Sequence, residues 1–166
     1  KVAFLEAVGF DRVILSRELS LAQIREIREK TSVELECFVL GAVCVCYSGQ
    51  CCLSYAIGGR SGNRGQCAQP CRRRYRLEDG SGKSIAEAAY FLSLKDLNLS
   101  ENLAELIDAG ISSFKIEGRL KDTAYVINTV GFLRRKLDRV LEQKGLRKSS
   151  SGSVSLNFSP DPYKTF

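Results

Sequence analysis

Two kinds of apolar pattern alternate along this chain. In the first, apolar residues recur every three residues among charged ones, as Leu21, Ile24 and Ile27 do, which is typical of an amphipathic helix. In the second, short continuous apolar runs such as RVIL at 12–15 indicate buried strands. The predicted helices cover residues 2–8, 21–30, 99–109 and 122–143, and the predicted strands cover 12–15, 33–40, 75–77, 90–92 and 113–116. This alternation predicts an α/β fold.

The order of helix, glycine and strand occurs twice. It occurs in the segments AFLEAVGFDRVILSRELSLAQI and LAELIDAGISSFKIEGRLKDTAYV. In each segment, an arginine-containing connection leads into another helix. Repeated helix–strand units build parallel barrels and doubly wound sheets. We therefore predict a partial TIM-barrel-like (β/α) repeat unit. In such a barrel the strand ends at Arg17, Glu18, Glu117 and Arg119 would face the active site, and ordinary salt bridges there are an equal alternative.

These elements assign residues 1–146 to one barrel-like domain, with a cysteine-rich cluster-binding loop at 44–76 inserted in it. The chain has too few strands to close an eight-stranded barrel, which indicates a fragment of a larger protein. The polar, proline-containing sequence after Leu146 predicts that residues 147–166 form a linker or an arm towards a further domain.

Composition narrows the class of protein. With 44% hydrophobic and 27% charged residues, the chain matches an ordinary globular domain. No apolar run is long enough to cross a bilayer, and the sequence from Lys1 lacks the pattern of a signal peptide, so we expect a cytoplasmic protein with no membrane partner. In a reducing compartment, seven cysteines favour metal binding or catalysis over a disulfide framework.

Four of the cysteines, Cys44, Cys51, Cys67 and Cys71, form the pattern C-x6-C-x15-C-x3-C in a glycine-rich segment. Irregular gaps in such a loop favour a [4Fe-4S] cluster. Structural zinc sites usually pair cysteines two to four residues apart, and only Cys67 and Cys71 are so paired here, which makes zinc the weaker alternative. Structural thiols without a metal are the third interpretation.

The other three cysteines are not predicted to be ligands. Cys37 lies in the apolar run ELECFVLGAV, and Cys46 alternates with Cys44. Both are expected to be small buried apolar residues. Cys52 receives no assignment.

Arginine is concentrated around the cysteine segment. A guanidinium group binds phosphate and carboxylate in a bidentate manner, and Tyr55 and Tyr75 are available to stack on bases. Together with the net charge of +6, this pattern favours an anionic partner such as RNA. A solvated turn whose charge offsets anionic thiolates is the alternative. The predicted RNA- or anion-binding residues are Arg60, Arg64, Arg72, Arg73, Arg74 and Arg119.

The chain lacks several residues and motifs that proteases use for catalysis. It contains no histidine, so it cannot form a Ser-His or Cys-His pair or an HExxH zinc site, and it has no GxSxG motif. A serine–lysine dyad that uses Ser48 or Ser54 is conceivable. Glu36, Asp96 and Glu117 are candidate acid–base carboxylates, although ion pairing is the more ordinary role for each. No catalytic residue is assigned.

Longer stretches of the sequence carry a resemblance to a known family. The stretch ELECFVLGAVCVCYSGQCCLSYAIGGRSGNRGQCAQPCRRRY, with its YSGQC and RGQCAQPCR elements, resembles the collagenase-like proteins of peptidase family U32. The later stretch SLKDLNLSENLAELIDAGISSFKIEGRL resembles the next block of the same family. The resemblance covers most of residues 1–140, and the end of the chain, SVSLNFSPDPYKTF, is similar to bacterial members that act on RNA.

The resemblance implies oxygen-independent hydroxylation of a pyrimidine at carbon 5, in tRNA or rRNA. It also implies a [4Fe-4S] cluster on the four cysteines named above, which can be lost in air, and prephenate as the hydroxyl donor of RNA-directed members. Many relatives have a histidine where this chain has Leu40, so no role of that histidine transfers. A collagenase-like peptidase and an RNA-binding module without catalysis are the alternative functions.

Overall fold

Helices and strands alternate in the order that the apolar pattern predicts for the first and last parts of the chain. The structure is a computed structural model and describes residues 1–119, 121–148, 151 and 154–164. Its helices are α1 (Val2–Ala7), α2 (Leu21–Arg28), α3 (Leu53–Gly58), α4 (Leu103–Asp108) and α5 (Thr123–Gln143). Its strands are β1 (Arg12–Ile14), β2 (Glu34–Gly41), β3 (Tyr75–Glu78), β4 (Ser84–Ala89), β5 (Leu97–Asn98) and β6 (Ser113–Glu117). Short 3₁₀ helices lie at Gly62–Arg64, Pro70–Arg72 and Pro162–Lys164.

The chain divides into two structural units. Unit 1 comprises Lys1–Gly41 and Leu97–Phe166, and unit 2 comprises Ala42–Asp96. Unit 2 is therefore inserted into the sequence of unit 1 between β2 and β5, and it is longer than the cysteine-rich loop predicted at 44–76.

The sheet of unit 1 is organised around β2. Strand β1 pairs with the first half of β2 in parallel, and β6 pairs in parallel with its second half. Strand β5 is antiparallel to the end of β2, at Leu40 and Gly41. The parallel strands confirm the predicted α/β class, whereas the partial barrel stays a prediction. Because β1, β2 and β6 run in the same direction, Arg17 and Glu18 follow the sheet at the same edge as Glu117.

The apolar core of unit 1 lies against β2. Leu35 and Val39 are fully buried, and most other residues of this strand are buried as well, as expected for a central parallel strand covered on both faces. Cys37 is 7% exposed, which confirms its predicted packing role, and burial together with the neighbouring Glu36 raises its pKa to about 11. Leu40 belongs to the same core, so this chain uses the position for packing.

Capping residues define where two of the helices begin. Ser20 and Gln23 form a capping box before α2, in which the Ser20 hydroxyl accepts from the Gln23 N–H and the Gln23 side chain accepts from the Ser20 N–H. The Asp122 carboxylate accepts a hydrogen bond of 2.7 Å from the Tyr125 N–H and caps α5. Both starts agree with the sequence prediction.

Two predicted elements differ from the structure. The helix predicted at 99–109 begins only at Leu103, because the Leu99 N–H still donates to the Val39 carbonyl and this part of the chain follows the sheet through β5. The strand predicted at 90–92 is wrong. The strand that pairs with β3 is β4, and the chain turns after it, with the Ser93 N–H donating to the Tyr90 carbonyl.

In the described part of residues 147–166, Leu156 and Asp161 contact α5, and the role of this segment as a linker or arm stays a prediction. The side-chain oxygen of Asn128 accepts a hydrogen bond of 2.8 Å from the Asp161 N–H, and its side-chain nitrogen donates to the Asp161 carbonyl. Leu156 lies directly over Gly131, where an added Cβ would come within 2.8 Å of it.

Among the helices that the structure describes, none is both long and apolar enough to cross a membrane.

Candidate metal centre

Unit 2 contains all four predicted ligand cysteines and little regular structure. A short helix α3, two 3₁₀ helices and the β3–β4 hairpin are its defined elements. The segments between them are held by hydrogen bonds from side chains to backbone groups. These hydrogen bonds determine where each cysteine lies.

Cys44, Cys67 and Cys71 are neighbours in this unit. Burial raises the pKa of the Cys71 thiol, Arg72 opposes the shift, and Cys44 and Cys67 add to it. Thiolates with the same charge repel one another at such positions. A bound cation removes such repulsion, so this grouping suits a metal or a metal cluster.

Cys46 joins this group, and its predicted role as a buried packing residue is wrong. Its side chain is only partly buried. Loss of solvation raises the pKa of Cys46, and the neighbouring Cys51 and Cys44 raise it further. Cys46 is therefore close to two predicted ligands, whereas Cys52 is exposed.

Cys67 has two hydrogen-bond donors directed at its sulfur. The Gln69 N–H donates to Sγ over 3.3 Å, and the Ser54 hydroxyl donates to Sγ over 3.8 Å. Ser54 is 1% exposed and also accepts a hydrogen bond of 3.1 Å from the Ala68 N–H. Helix α3 is thereby attached to the loop that carries Cys67.

Two further side chains fix the segments of the other cysteines. Asn63 accepts a hydrogen bond of 3.0 Å from the Cys51 N–H, which ties Cys51 to the 3₁₀ helix at Gly62–Arg64. Arg72, the residue after Cys71, donates to the Val43 carbonyl over 2.7 Å, and Val43 precedes Cys44. The same guanidinium donates to the Ser93 hydroxyl and the Leu94 carbonyl, over 2.7 and 2.8 Å. Arg72 thus joins three separate segments of unit 2.

The predicted anion-binding arginines fall into three groups. Arg60, Arg64 and Arg73 are exposed in unit 2. Arg72 and Arg74 are engaged within the unit, because Arg74 donates to the Ala88 carbonyl and Arg72 makes the hydrogen bonds described above. Arg119 follows β6 in unit 1. Anion binding by these residues stays a prediction; Arg74 and Arg119 are exposed as well, and Arg72 is partly buried.

The residues fit an iron–sulfur cluster in their chemistry. Thiolate sulfur is the usual ligand of such clusters, and unit 2 contains the four thiols predicted to hold one. Within the described residues, no three cysteine, aspartate or glutamate side chains already have the arrangement of a metal site.

Sequence reasoning missed Cys46, Ser54 and Gln69 as members of this site. The spacing Cys44-x-Cys46 could have indicated the role of Cys46, because two cysteines two residues apart can bind the same metal centre. Ser54 and Gln69 gave no comparable signal, because the contact of Ser54 with Cys67 spans thirteen positions. The candidate carboxylate Glu36 is engaged in unit 1, where it accepts from Ser113 and pairs with Arg12.

Comparison with known proteins places the cysteine pattern in a family. The model of Peptidase family U32 matches residues 1–161. The chain is 48% identical over 167 residues to "23S rRNA 5-hydroxycytidine C2501 synthase" of Escherichia coli strain K12, a match that covers 100% of this chain and 26% of that protein. It is 42% identical over 143 residues to "tRNA hydroxylation protein P1" of Bacillus subtilis strain 168, with 82% of this chain and 34% of that protein covered.

A third relative carries a different kind of name. The chain is 40% identical over 129 residues to "Collagenase" of Porphyromonas gingivalis, with 70% of this chain and 31% of that protein covered. The chain thus spans about a quarter to a third of the length of these relatives. No solved structure matches it.

Proposed function

Because this chain belongs to peptidase family U32, we propose that it is part of an enzyme that hydroxylates a pyrimidine of RNA at carbon 5. The relative that matches the whole chain is named for 5-hydroxycytidine in 23S rRNA. The relatives named for tRNA hydroxylation match 79–82% of it. That difference in coverage favours a ribosomal cytidine over a tRNA uridine as the substrate, in the cytoplasm where ribosomes work.

The grouping of thiols in unit 2 carries the chemical part of the proposal. Cys44, Cys51, Cys67 and Cys71 would hold a [4Fe-4S] cluster, and zinc is the weaker candidate because, among these four, only Cys67 and Cys71 are closely paired. When bound, a cluster of this type supplies one-electron chemistry that does not require molecular oxygen. Cys46 lies beside Cys51 and Cys44 as an additional thiol of the site.

The exposed arginines would bind the charged reactants. Arg60, Arg64 and Arg73 present guanidinium groups to solvent in the unit that contains the cysteines. Such groups bind RNA phosphates, and they also bind a dicarboxylate such as prephenate, the proposed hydroxyl donor. The exposed ring of Tyr55, 67% accessible, is available to stack on an unpaired base.

A collagenase-like peptidase is the second candidate, and one relative's name favours it. The chain offers little for this chemistry. It contains no histidine, and Ser54 is buried with its hydroxyl bonded to Cys67 and Ala68, so this serine is not accessible as a nucleophile. We therefore favour hydroxylation.

The experiment compares two adjacent cysteines in the full-length protein. Strains that lack the gene are complemented with wild type, Cys51→Ser or Cys52→Ser, and ribosomal and transfer RNA are digested to nucleosides for mass spectrometry. We expect wild type and Cys52→Ser to restore a hydroxypyrimidine and Cys51→Ser to lose it. Protein purified without air should contain iron and sulfide in wild type and Cys52→Ser, and much less in Cys51→Ser.

Several outcomes would contradict the proposal. RNA that is identical in the deletion strain and the parent excludes RNA hydroxylation and returns the peptidase to first place. Stoichiometric zinc without iron in wild type excludes the cluster. RNA binding that survives Cys51→Ser and Cys67→Ser, together with RNA composition that is unchanged in the deletion strain, indicates an RNA-binding module without catalysis.

A further inference from the structure

The surroundings of Cys67 contain a buried hydroxyl that the proposed reaction does not use. Ser54 lies in α3 with 1% of its surface exposed, and its Oγ is 3.8 Å from Cys67 Sγ. The Ala68 N–H donates to the same Oγ over 3.1 Å. Because that N–H occupies a lone pair of the oxygen, the hydroxyl hydrogen is left to point at the sulfur.

The second donor to Cys67 comes from a strained piece of backbone. Gln69 has φ 54° and ψ 41°, and it is the one residue other than glycine with a positive φ in the described part of the chain. It also precedes Pro70, which favours extended backbone at the preceding residue. A side chain with a Cβ is unfavourable in this conformation, so the surrounding structure must hold it. The result is an N–H directed at Cys67 Sγ over 3.3 Å.

From these contacts we propose that Ser54 and the Gln69 N–H are positioning residues that orient Cys67 as a ligand and raise the reduction potential of the cluster. The inference rests on the proposed function, because it requires a cluster on Cys67. Hydrogen bonds to ligand sulfurs are one of the means by which proteins adjust these potentials. Donors stabilise the reduced state more than the oxidised state, since the reduced cluster carries more negative charge.

The test measures the midpoint potential of the reconstituted full-length protein by a redox titration followed by EPR and visible absorption. Ser54→Ala removes the hydroxyl, Ser54→Thr retains it, and Ser61→Ala is the matched control in the same unit. We expect a more negative potential for Ser54→Ala, and potentials close to wild type for Ser54→Thr and Ser61→Ala. A merely structural role for Ser54 would alter iron content without moving the potential of the loaded fraction.

A second pair of variants addresses the backbone donor and does not depend on Ser54. Gln69→Gly keeps the N–H and adopts the left-handed conformation without a Cβ, so it should retain iron as wild type does. Gln69→Val keeps the N–H but strongly disfavours positive φ, so it should lose the cluster faster in air. Equal rates of cluster loss for the two variants would overturn the role of Gln69.

The possible failures are distinguishable. Wild-type protein that contains no iron overturns the proposed cluster and this inference with it. Wild type and Ser54→Ala that both contain a full cluster at the same potential overturn this inference alone. If Ser54→Ala cannot be loaded, the midpoint potentials of the Gln69 pair decide: a more negative value for Gln69→Val than for Gln69→Gly supports the inference, and equal values overturn it.

Discussion

The two units of this protein are stabilised in different ways. Unit 1 contains all the buried apolar side chains of the core, arranged around β2 between α2, α4 and α5. In unit 2, every residue of which the structure describes, only Ser54 and Pro70 are buried. Its segments are joined by hydrogen bonds that Asn63 and Ser54 accept from backbone N–H groups and by the hydrogen bonds that Arg72 donates.

The difference indicates what each unit needs in order to fold. Apolar burial supplies most of the free energy of folding, and a small region without it usually depends on a metal or a disulfide. The free cysteines of unit 2 meet that need if they bind a cluster. We therefore expect unit 2 to depend for its stability on the proposed cluster more than unit 1 does.

Removal of the proposed cluster should produce the largest difference in stability between the two units. In hydrogen exchange on full-length protein, iron chelation should speed exchange in residues 42–96 by roughly 1,000-fold, or about 4 kcal/mol, as expected for the loss of a tightly bound ligand. Amides of β2 should change little, because its pairing and core contacts lie in unit 1. Equal changes in both regions would contradict the comparison.

A substitution at Gly41 should instead affect unit 1. This residue has φ +114°, and an added Cβ would lie 2.1 Å from the backbone oxygen of Glu117 on the neighbouring strand. Neither backbone can yield without disrupting the pairing of β2 with β6. We expect Gly41→Ala to reduce the free energy of unfolding by about 2–4 kcal/mol through strain and overpacking, measured by urea denaturation.

Gly9→Ala is the matched control for that prediction. Gly9 also has a positive φ of +95°, but an added Cβ would meet nothing within 4 Å. The control should lose only about 1–2 kcal/mol from backbone strain. Equal losses for the two variants would show that the close contact with Glu117 does not contribute to the loss of stability.

Substitution of Arg72 tests whether hydrogen bonds stabilise unit 2. Lysine cannot reproduce a planar guanidinium that donates to Val43, Ser93 and Leu94 together. Arg72→Lys should lower the free energy of local opening in unit 2 by about 1–3 kcal/mol and reduce iron retention, as read by hydrogen exchange and metal analysis. The exposed neighbour provides the control, since Arg73→Lys should leave both quantities unchanged. An unchanged Arg72→Lys would mean that these hydrogen bonds do not hold the cysteine segments.

The sequence was more informative for unit 1 than for unit 2, for a physical reason. Strong periodicity and capping residues such as Ser20 and Asp122 are local signals, and they predicted α2, β2, β6 and α5 to within a few residues. Helix α3 has only six residues and no side-chain hydrogen bond that caps its start, so no N-cap residue marked it in the sequence. The grouping of Cys46 with Cys51 and the contact of Ser54 with Cys67 depend on loop conformation. Spacing alone could predict the ligand cysteines but not their supporting residues.

The smallest predicted effect is a pH dependence confined to unit 1. Glu6 accepts hydrogen bonds from the Ser32 N–H over 2.8 Å and from the hydroxyls of Ser32 and Thr31, which join α1 to the segment before β2. These hydrogen bonds, from Ser32 first and then Thr31, lower the pKa of Glu6 from 4.5 to about 2. Because the folded pKa is the lower one, the stabilisation is complete above about pH 4.5 and is lost as the pH falls through 2.

Glu6→Gln measures this contribution. Its urea midpoint should be slightly below that of wild type at pH 7, and the two midpoints should converge as the pH falls from 4.5 towards 2. Glu26→Gln, at an exposed position of α2, corrects for the general effect of removing a negative charge. Hydrogen exchange in residues 42–96 should not respond to Glu6→Gln at any pH, because Glu6 and its partners all belong to unit 1. A response there would show that the stability of unit 2 is coupled to that of unit 1. It would contradict the conclusion that the two units are stabilised independently.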